Sequence, residues 1–172
     1  MEEFSQATAK AQLRDVLDAF GKRPGTRDAK DALAIADARC DSAAEVLVLV
    51  LCWRFDIPPP EPQYPVSLPG GRRAEVDFAW PAIRHVLEFD GAEKYLDDPV
   101  GGMTARDKIL AEKRRERDIR DLGYGMTRLT WADLQPASQV RTAARIKRDL
   151  ARSARALSAT STHTATPMGD AE

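Results

Sequence analysis

The sequence predicts an α/β fold in which a small mixed sheet is flanked by helices. Helical patterns occupy the first third of the chain, and short apolar strand patterns lie between residues 63 and 90. A charged helix, a further strand and a final helix complete the order. Helices that alternate with strands in this way are typical of layered folds in which helices cover the sheet.

Three helices are predicted before the first strand. Residues 4–20 form an amphipathic helix that ends at Gly21, and residues 27–38 form a second, short helix. The third begins at Ser42, because Ser42 and Glu45 have the spacing of a capping box. Its sequence EVLVLVLCWRF is apolar nearly all round, which predicts burial against the sheet.

The proline-rich stretch IPPPEPQYP ends the third helix and favours extended backbone. Gly123 is expected to cap the charged helix in the left-handed conformation. The remaining elements are predicted, in order, as strands at 63–68, 72–80 and 84–90, a loop at 96–104, a helix at 105–121, a strand in YGMTRLTW and a helix at 138–157.

Composition and patterning divide the chain into three parts. Residues 1–38 are an N-terminal helical segment, and residues 39–157 form the main domain, which includes a basic C-terminal helix. Residues 158–172 are rich in Ser, Thr and Ala and lack an apolar pattern, so a disordered tail is expected there.

The 172-residue chain has 43% hydrophobic residues, 31% charged residues and a net charge of −1, as expected for a soluble globular protein. The apolar run at 43–53 is too short to span a bilayer, and the acidic start has no signal-peptide pattern. Cys40 and Cys52 lack metal-ligand spacing. These features predict a cytoplasmic protein without a membrane partner.

The strands at 72–80 and 84–90 carry carboxylates within otherwise apolar sequence. A turn centred between residues 82 and 83 places Asp77 opposite Glu88, and alternation puts Asp90 on the same side. The same register pairs two apolar couples, Phe78 with Leu87 and Ala79 with Val86.

Three neighbouring carboxylates repel one another, and a hard cation would turn that repulsion into binding. We therefore expect a Mg²⁺ site at Asp77, Glu88 and Asp90, where Mn²⁺ can substitute. The alternative is an exposed polar face of the hairpin, but these strands are too apolar for a freely solvated ribbon. An arginine on each carboxylate would remove the need for the ion.

Two further residues have both a site role and an ordinary one. Lys94 follows the acidic strand closely and could reach back to the carboxylates, although a lysine is usually a surface residue. Glu45 could be a fourth metal ligand or could only complete the capping box with Ser42. His85, next to the turn, is expected to face solvent.

Basic residues are concentrated in the last two predicted helices. Between residues 141 and 155 there are six basic residues and one acidic residue, at helical spacing. Such a stripe fits contact with phosphates, but it fits an acidic protein surface equally. The charged helix is more simply a solvated face with ion pairs, although two of its residues could point to the site. The candidate nucleic-acid contacts are Arg141, Arg145, Arg148, Arg152, Lys113 and Arg115.

Three segments together carry a resemblance to a known family: VDFAWP, EFDGAEKY, and EKRRERDIRDLGYGMTRLTWADL. In this order and spacing they resemble the very-short-patch-repair-like branch of the PD-(D/E)XK nuclease superfamily. They resemble most the actinobacterial domain-of-unknown-function proteins of that branch. The resemblance covers roughly residues 36–135.

The resemblance implies a restriction-endonuclease-like fold, with a four-stranded mixed sheet flanked by helices and a Mg²⁺-dependent site. Asp77 and Glu88 match the two acidic motif positions, and Glu45 matches an acidic position on a helix. Asp90 stands where the superfamily usually has lysine, and Lys94 takes the basic position that follows in this branch. A supporting role is implied for the R-x-T-W segment, with Arg128 and Trp131.

The function that follows is a Mg²⁺-dependent endonuclease or nickase that hydrolyses DNA phosphodiesters in phage defence, mobile-element biology or repair. The alternative is a catalytically silent DNA-binding or toxin–antitoxin-type module on the same fold. Nucleic acid, and in this interpretation DNA, is the expected partner, together with a second copy of the chain or a separate recognition subunit.

Overall fold

The computed structural model describes residues 5–90 and 105–163, which form six helices and four strands within those ranges. The helices are α1 (Gln6–Ala19), α2 (Thr26–Ile35), α3 (Ala43–Arg54), α4 (Ala105–Asp121), α5 (Trp131–Leu134) and α6 (Gln139–His163). The strands are β1 (Glu61–Ser67), β2 (Arg73–Trp80), β3 (His85–Phe89) and β4 (Gly125–Leu129).

The four strands form one mixed sheet in the order β1-β2-β3-β4. The first two pairings are antiparallel, and β3 pairs with β4 in parallel. The predicted fold class, a small mixed four-stranded sheet flanked by helices, is therefore confirmed. The hairpin register is confirmed at two couples, Phe78 with Leu87 and Ala79 with Val86. The finer restriction-endonuclease-like assignment stays a prediction.

Helices cover both faces of the sheet. On one face Phe78 and Leu87 pack with buried residues of α3, α5 and α6. On the other face Ala79 and Val86 pack with Ile119 of α4. The central strand β3 is consequently buried on both sides, which explains why His85 to Glu88 are all buried.

Strand β2 changes face at Asp77. Strict alternation would keep Val76 and Phe78 on one side, yet Val76 packs in the α4 cluster and Phe78 in the α3 cluster. Gln63 falls opposite Asp77 in the β1–β2 register and has a positive φ of 49°. A residue other than glycine rarely adopts that backbone conformation within a strand. The distortion that changes the face of β2 is therefore concentrated at Gln63 and Asp77.

Helix α3 begins as its sequence predicts. The Glu45 N–H donates to Ser42 Oγ, and the Glu45 carboxylate accepts from Ser42 Oγ and from the Asp41 N–H. Helix α2 contacts α3, and α1 packs on α2. Cys52 is buried, Cys40 is partly buried, and both are free thiols.

The last helix is longer than predicted. Residues 158–163, assigned from the sequence to a disordered tail, continue α6. Within this extension the Ser158 and Thr160 hydroxyls donate to the carbonyls of Ala154 and Ala156, one helical turn earlier. Residues 164–172 and the predicted loop at 96–104 lie outside the described residues.

Two end features of the charged helix follow the sequence. Helix α4 ends at Asp121, and Gly123 has a φ of 82°, the left-handed cap conformation that was predicted.

None of the helices in the described ranges combines the length and apolar character needed to cross a membrane.

Candidate active site

Asp77 and Glu88 lie on neighbouring strands at the carboxyl end of β3. Asp77 is half-buried, and its Oδ2 accepts the backbone N–H of Phe89 at 2.7 Å. This bond fixes the Asp77 carboxylate beside the main chain that carries Glu88. The backbone pairing of β2 with β3 ends one residue earlier, at Phe78 and Leu87, and beyond it the Asp77 side chain links the two strands.

Glu88 is almost fully buried, at 7% exposure, yet it carries an ionisable group. Arg115 on α4 donates from Nη2 to Glu88 Oε1 at 2.6 Å. Arg128, its register partner on β4, holds Nη2 at 3.6 Å from Oε2. Burial raises the pKa of the Glu88 carboxyl, while the two guanidinium groups oppose that rise.

Arg115 is held by more than Glu88. Its Nε and Nη2 donate to the two carboxylate oxygens of Glu112, each at 2.9 Å, and its Nη1 donates to the carbonyl oxygen of Glu75 at 3.1 Å. Bidentate pairs of this kind fix the guanidinium plane. The hydrogen bonds to Glu112 raise the pKa of Arg115 most. Burial opposes that rise and the Glu88 carboxylate adds to it, so the pKa of Arg115 is raised overall.

The network extends from Glu88 to two further carboxylates on α4. Arg128 also pairs with Glu112 at 3.3 Å and with Glu116 at 3.0 Å, and Arg120 pairs with Glu116 at 2.9 Å. Three carboxylates, those of Glu88, Glu112 and Glu116, therefore share three guanidinium groups, those of Arg115, Arg120 and Arg128. The charges of these six groups balance.

The other predicted ligands lie in different positions. Asp90 is exposed directly after β3, where its N–H donates to the Leu129 carbonyl at 2.8 Å. Lys94 lies outside the described residues. Both Glu45 oxygens have partners in the α3 cap, and Oε2 also accepts from Gln63 Nε2 at 2.8 Å. The capping role of Glu45 is thus the one observed, and its contact reaches the residue opposite Asp77.

The donor set suits a hard cation only in part. Within residues 5–90 and 105–163, no group of three or more His, Cys, Asp or Glu side chains is arranged to hold a metal ion. Asp77 and Glu88 supply carboxylate oxygens from adjacent strands, which is the donor chemistry that Mg²⁺ prefers. An arginine on each carboxylate would remove the need for an ion. Glu88 has such a partner in Arg115, whereas Asp77 Oδ2 accepts the backbone N–H of Phe89.

The arginine stripe of α6 is exposed except at one position. Arg141, Arg148 and Arg152 are exposed, with 79% of the Arg152 side chain accessible. Arg145 differs from the prediction, because it is half-buried and pairs with Asp133 at 3.1 Å. It also donates to a carbonyl of β4, and its buried Nε lacks a partner among the described groups. It sits beside Ile146, which faces the sheet.

The two candidate phosphate contacts on α4, Arg115 and Lys113, lie in different environments. Lys113 is exposed on α4, as a phosphate contact requires, whereas Arg115 is turned into the Glu88 network. The helical spacing of basic residues on α4 thus indicated the right helix but did not show which face meets the sheet.

The expectation that His85 faces solvent is wrong. His85 is 1% exposed, with Nδ1 at 2.8 Å from Ser153 Oγ and Nε2 at 3.0 Å from Thr127 Oγ1. Thr127 donates to Asp149, so it accepts from Nε2–H, and Nδ1 accepts the Ser153 hydroxyl. Strand β4, which pairs in parallel with β3, lies beside His85. The burial of His85 therefore follows from the order of the strands in the sheet.

Burial lowers the His85 pKa to about 4, and Asp149 opposes that shift. Gly125 makes room for the network: a Cβ there would lie 2.1 Å from Ser153 Oγ and 2.8 Å from His85 Nδ1. The imidazole is therefore neutral, held in one tautomer and closed in by packing.

Comparison with known proteins gives relatives but no family. No family model matches the chain, and no solved structure matches it. The chain is similar to two curated proteins of Mycobacterium tuberculosis, "Uncharacterized protein MT2308" from strain CDC 1551 / Oshkosh and "Uncharacterized protein Rv2248" from strain ATCC 25618 / H37Rv. Each is 29% identical over 148 residues, which is 86% of this chain and 51% of the relative. The chain thus spans about half the length of the curated relatives it matches.

Proposed function

We propose that this protein is a Mg²⁺-dependent endonuclease or nickase that hydrolyses DNA phosphodiesters in the cytoplasm. The observation that supports the proposal is the position of Asp77 and Glu88 on adjacent strands, with Asp77 Oδ2 bonded to the Phe89 N–H next to Glu88. Acidic side chains within otherwise apolar strands need a partner, and a divalent ion would be one.

In the proposed reaction Asp77 and Glu88 would hold the divalent ion through their carboxylate oxygens. The bound ion would supply Lewis-acid activation of a water and neutralise charge on the phosphate. Lys94 would hold the scissile phosphate or orient the water. The Phe89 N–H keeps Asp77 Oδ2 in a fixed direction, which preorganises one of the ligands.

The DNA backbone would lie along the exposed arginines of α6. Arg141, Arg148 and Arg152 would grip phosphates without reading sequence, and Lys113 would do so on α4. Since such contacts carry no sequence information, a second copy of the chain or a separate recognition subunit would supply target choice. Phage defence, mobile-element biology or repair would be the setting of such an enzyme.

A plasmid-nicking assay tests the proposal. The wild-type chain should convert supercoiled plasmid to open circles with Mg²⁺ or Mn²⁺, and EDTA should stop it. Asp77→Asn should abolish cutting, because one metal ligand loses its charge. Asp121→Asn, an exposed change at the end of α4, is the matched control and should cut like the wild type. Cutting that survives Asp77→Asn would overturn the assignment.

One observation favours the second candidate, a catalytically silent DNA-binding or toxin–antitoxin-type module. Arg115 neutralises Glu88 at 2.6 Å, which a purely structural ion pair would also do. This candidate predicts DNA retardation in a gel with no cutting in any divalent ion, and retardation that is the same for Asp77→Asn.

A further inference from the structure

Helix α1 carries large apolar side chains on a face that is half open to solvent. Leu13, Val16 and Phe20 are 54%, 53% and 48% exposed. Helix α1 packs mainly on α2, and neither of these two described helices contains a buried residue. Since most helical stability in proteins comes from packing of an apolar face, this helical hairpin is left with an incomplete interface.

The exposed face has the spacing of a coiled-coil seam. Ala9, Leu13, Val16 and Phe20 follow one another at intervals of four, three and four residues, the a/d pattern of a heptad. At about 100° per residue they fall within an arc of about 60°. Phe20 is the C-cap residue and keeps right-handed helical backbone, so it continues the stripe. We call these four residues the α1 seam.

We propose that two copies of this chain associate through the α1 seam, with the two α1 helices antiparallel. In an antiparallel pair, position a of one helix packs against position d of the other. Leu13 then meets Val16 of the second copy, and Ala9 meets Phe20. The smallest residue of the seam thus lies opposite the largest, which fills each layer to a similar degree. A parallel pair would put Ala9 on Ala9 and Phe20 on Phe20, with a gap at one end and crowding at the other.

The charges of α1 favour a second copy over a membrane surface or a charged partner. The helix has two basic and two acidic residues, so it lacks the net positive charge that anionic lipids attract. Gln6 and Lys10 border the seam on the side where they bond to Ala38 and Ala34. Gln12 borders the other side and is exposed and uncharged, as is its neighbour on that side, residue 19. Two copies can therefore approach along this side without repulsion between like charges.

The length of the seam sets the expected affinity. Helix α1 has 14 residues and is therefore about 21 Å long. An interface built on one such helix is smaller than the roughly 800 Å² per partner of a standard complex, so we expect a dissociation constant on the order of 100 μM.

Sedimentation velocity of the full chain, from about one tenth to about ten times that concentration, tests the proposal. The wild type should shift from monomer to dimer across this range. Val16→Glu puts a carboxylate into the seam and should weaken association at least about tenfold. Its fold should persist, because Val16 is half-exposed in the single chain and Glu favours helix more than Val does. Ala11→Glu, exposed on the back of α1, adds the same charge and should dimerise like the wild type.

A mixture of two variants tests the antiparallel register. Leu13→Lys alone should weaken association as Val16→Glu does. Mixing the two variants should restore it, because antiparallel helices place the introduced ammonium opposite the introduced carboxylate. In a parallel pair the two changed positions do not face each other, and no recovery is expected.

The outcomes leave the proposal either supported or refuted. A wild type that stays monomeric refutes it, and so does a dimer that survives Val16→Glu or that Ala11→Glu weakens equally. Failure of the mixture to recover refutes the antiparallel pairing. Circular dichroism checks the helix content, and if Val16→Glu loses helix, Leu13→Lys replaces it in the same comparison. None of these measurements involves a metal ion or DNA, so the nuclease proposal is tested separately.

Discussion

The two ends of strand β3 carry polar networks that are built in opposite ways. At the amino end, His85 lies in a neutral, closed network with Thr127 and Ser153, in which each hydrogen bond has a defined direction. At the carboxyl end, Glu88 lies in a network of three carboxylates and three guanidinium groups. His85 and Glu88 are both buried, but only the network at Glu88 is made of charged groups.

This difference separates stability from function. A buried polar network in which every group has its partner specifies one packing arrangement and offers nothing to a ligand. A buried carboxylate needs a cation beside it, and under the proposed function a divalent ion would take that place at Glu88. We therefore expect changes at the His85 end to affect unfolding and changes at the Glu88 end to affect cutting.

The largest effect is expected from Glu88→Gln. The amide keeps the shape of the side chain but loses the charge of a metal ligand, so the nicking rate should fall about a thousandfold. Initial rates of plasmid nicking at saturating Mg²⁺ measure it. His85→Gln should retain the wild-type rate per folded molecule. A rate that His85→Gln lowers as strongly as Glu88→Gln would erase the distinction between the two ends.

The second largest effect is expected from Gly125→Ala. The new methyl group would lie 2.1 Å from Ser153 Oγ, so α6 or the sheet must shift and the His85 hydrogen bonds are strained. The free energy of unfolding should fall by about 3 kcal/mol. Urea denaturation followed by circular dichroism gives the value.

Gly70→Ala is the control for Gly125→Ala. A Cβ at Gly70 meets nothing within 4 Å, and only its φ of 74° is unfavourable for alanine. The loss there should be about 1 kcal/mol. Equal losses at the two glycines would mean that the contact with Ser153 and His85 does not limit stability.

The pH dependence of stability should reveal the buried imidazole. The His85 pKa falls from its ordinary 6.5 to about 4 on folding, so below pH 6.5 the unfolded chain takes up a proton that the folded chain refuses. Stability is therefore complete above pH 6.5 and is lost as the pH falls toward 4, by at most about 3 kcal/mol. Urea titrations of wild type and His85→Gln across this range isolate the contribution. Parallel curves for the two proteins would contradict it.

The smallest effect is expected on the α6 surface. Arg148 and Arg152 are exposed, so replacing both with alanine should weaken DNA binding several-fold and reduce the slope of log K against log salt by about 2. Fluorescence anisotropy with a labelled duplex measures both quantities. Arg145→Ala should instead lower stability, because it removes the partner of Asp133. If Arg145→Ala changed the salt slope and replacement of Arg148 and Arg152 did not, the DNA would not lie along the exposed arginines of α6.

Local patterns in the sequence were sufficient for most elements and for two couples of the hairpin register, but they missed the short helix α5 and the end of α6 at 158–163. The turn between Trp80 and His85 forms a single 3₁₀ turn at Pro81–Ile83, so the spacing between Asp77 and Glu88 fixes which residues face each other. The apolar helix α3 and its Ser42 cap follow from short-range periodicity and capping chemistry.

Partners distant in sequence could not be predicted in the same way. Arg115 meets Glu88 because α4 packs on the face that carries Val86, and nothing local to either residue states this. His85 is buried because β4 pairs beside it and α6, which carries Ser153, packs against it. The inward turn of Arg145 likewise depends on Asp133 and on a β4 carbonyl.

The central claim is that Asp77 and Glu88 together bind a divalent cation. A crystal of the full chain grown with Mn²⁺ tests it most directly, through the anomalous signal of the ion. The account predicts a peak about 2 Å from oxygens of both carboxylates, with the Arg115 guanidinium moved off Glu88 Oε1. An anomalous map that is empty there, with Arg115 still bonded to Glu88 at saturating Mn²⁺, would contradict it.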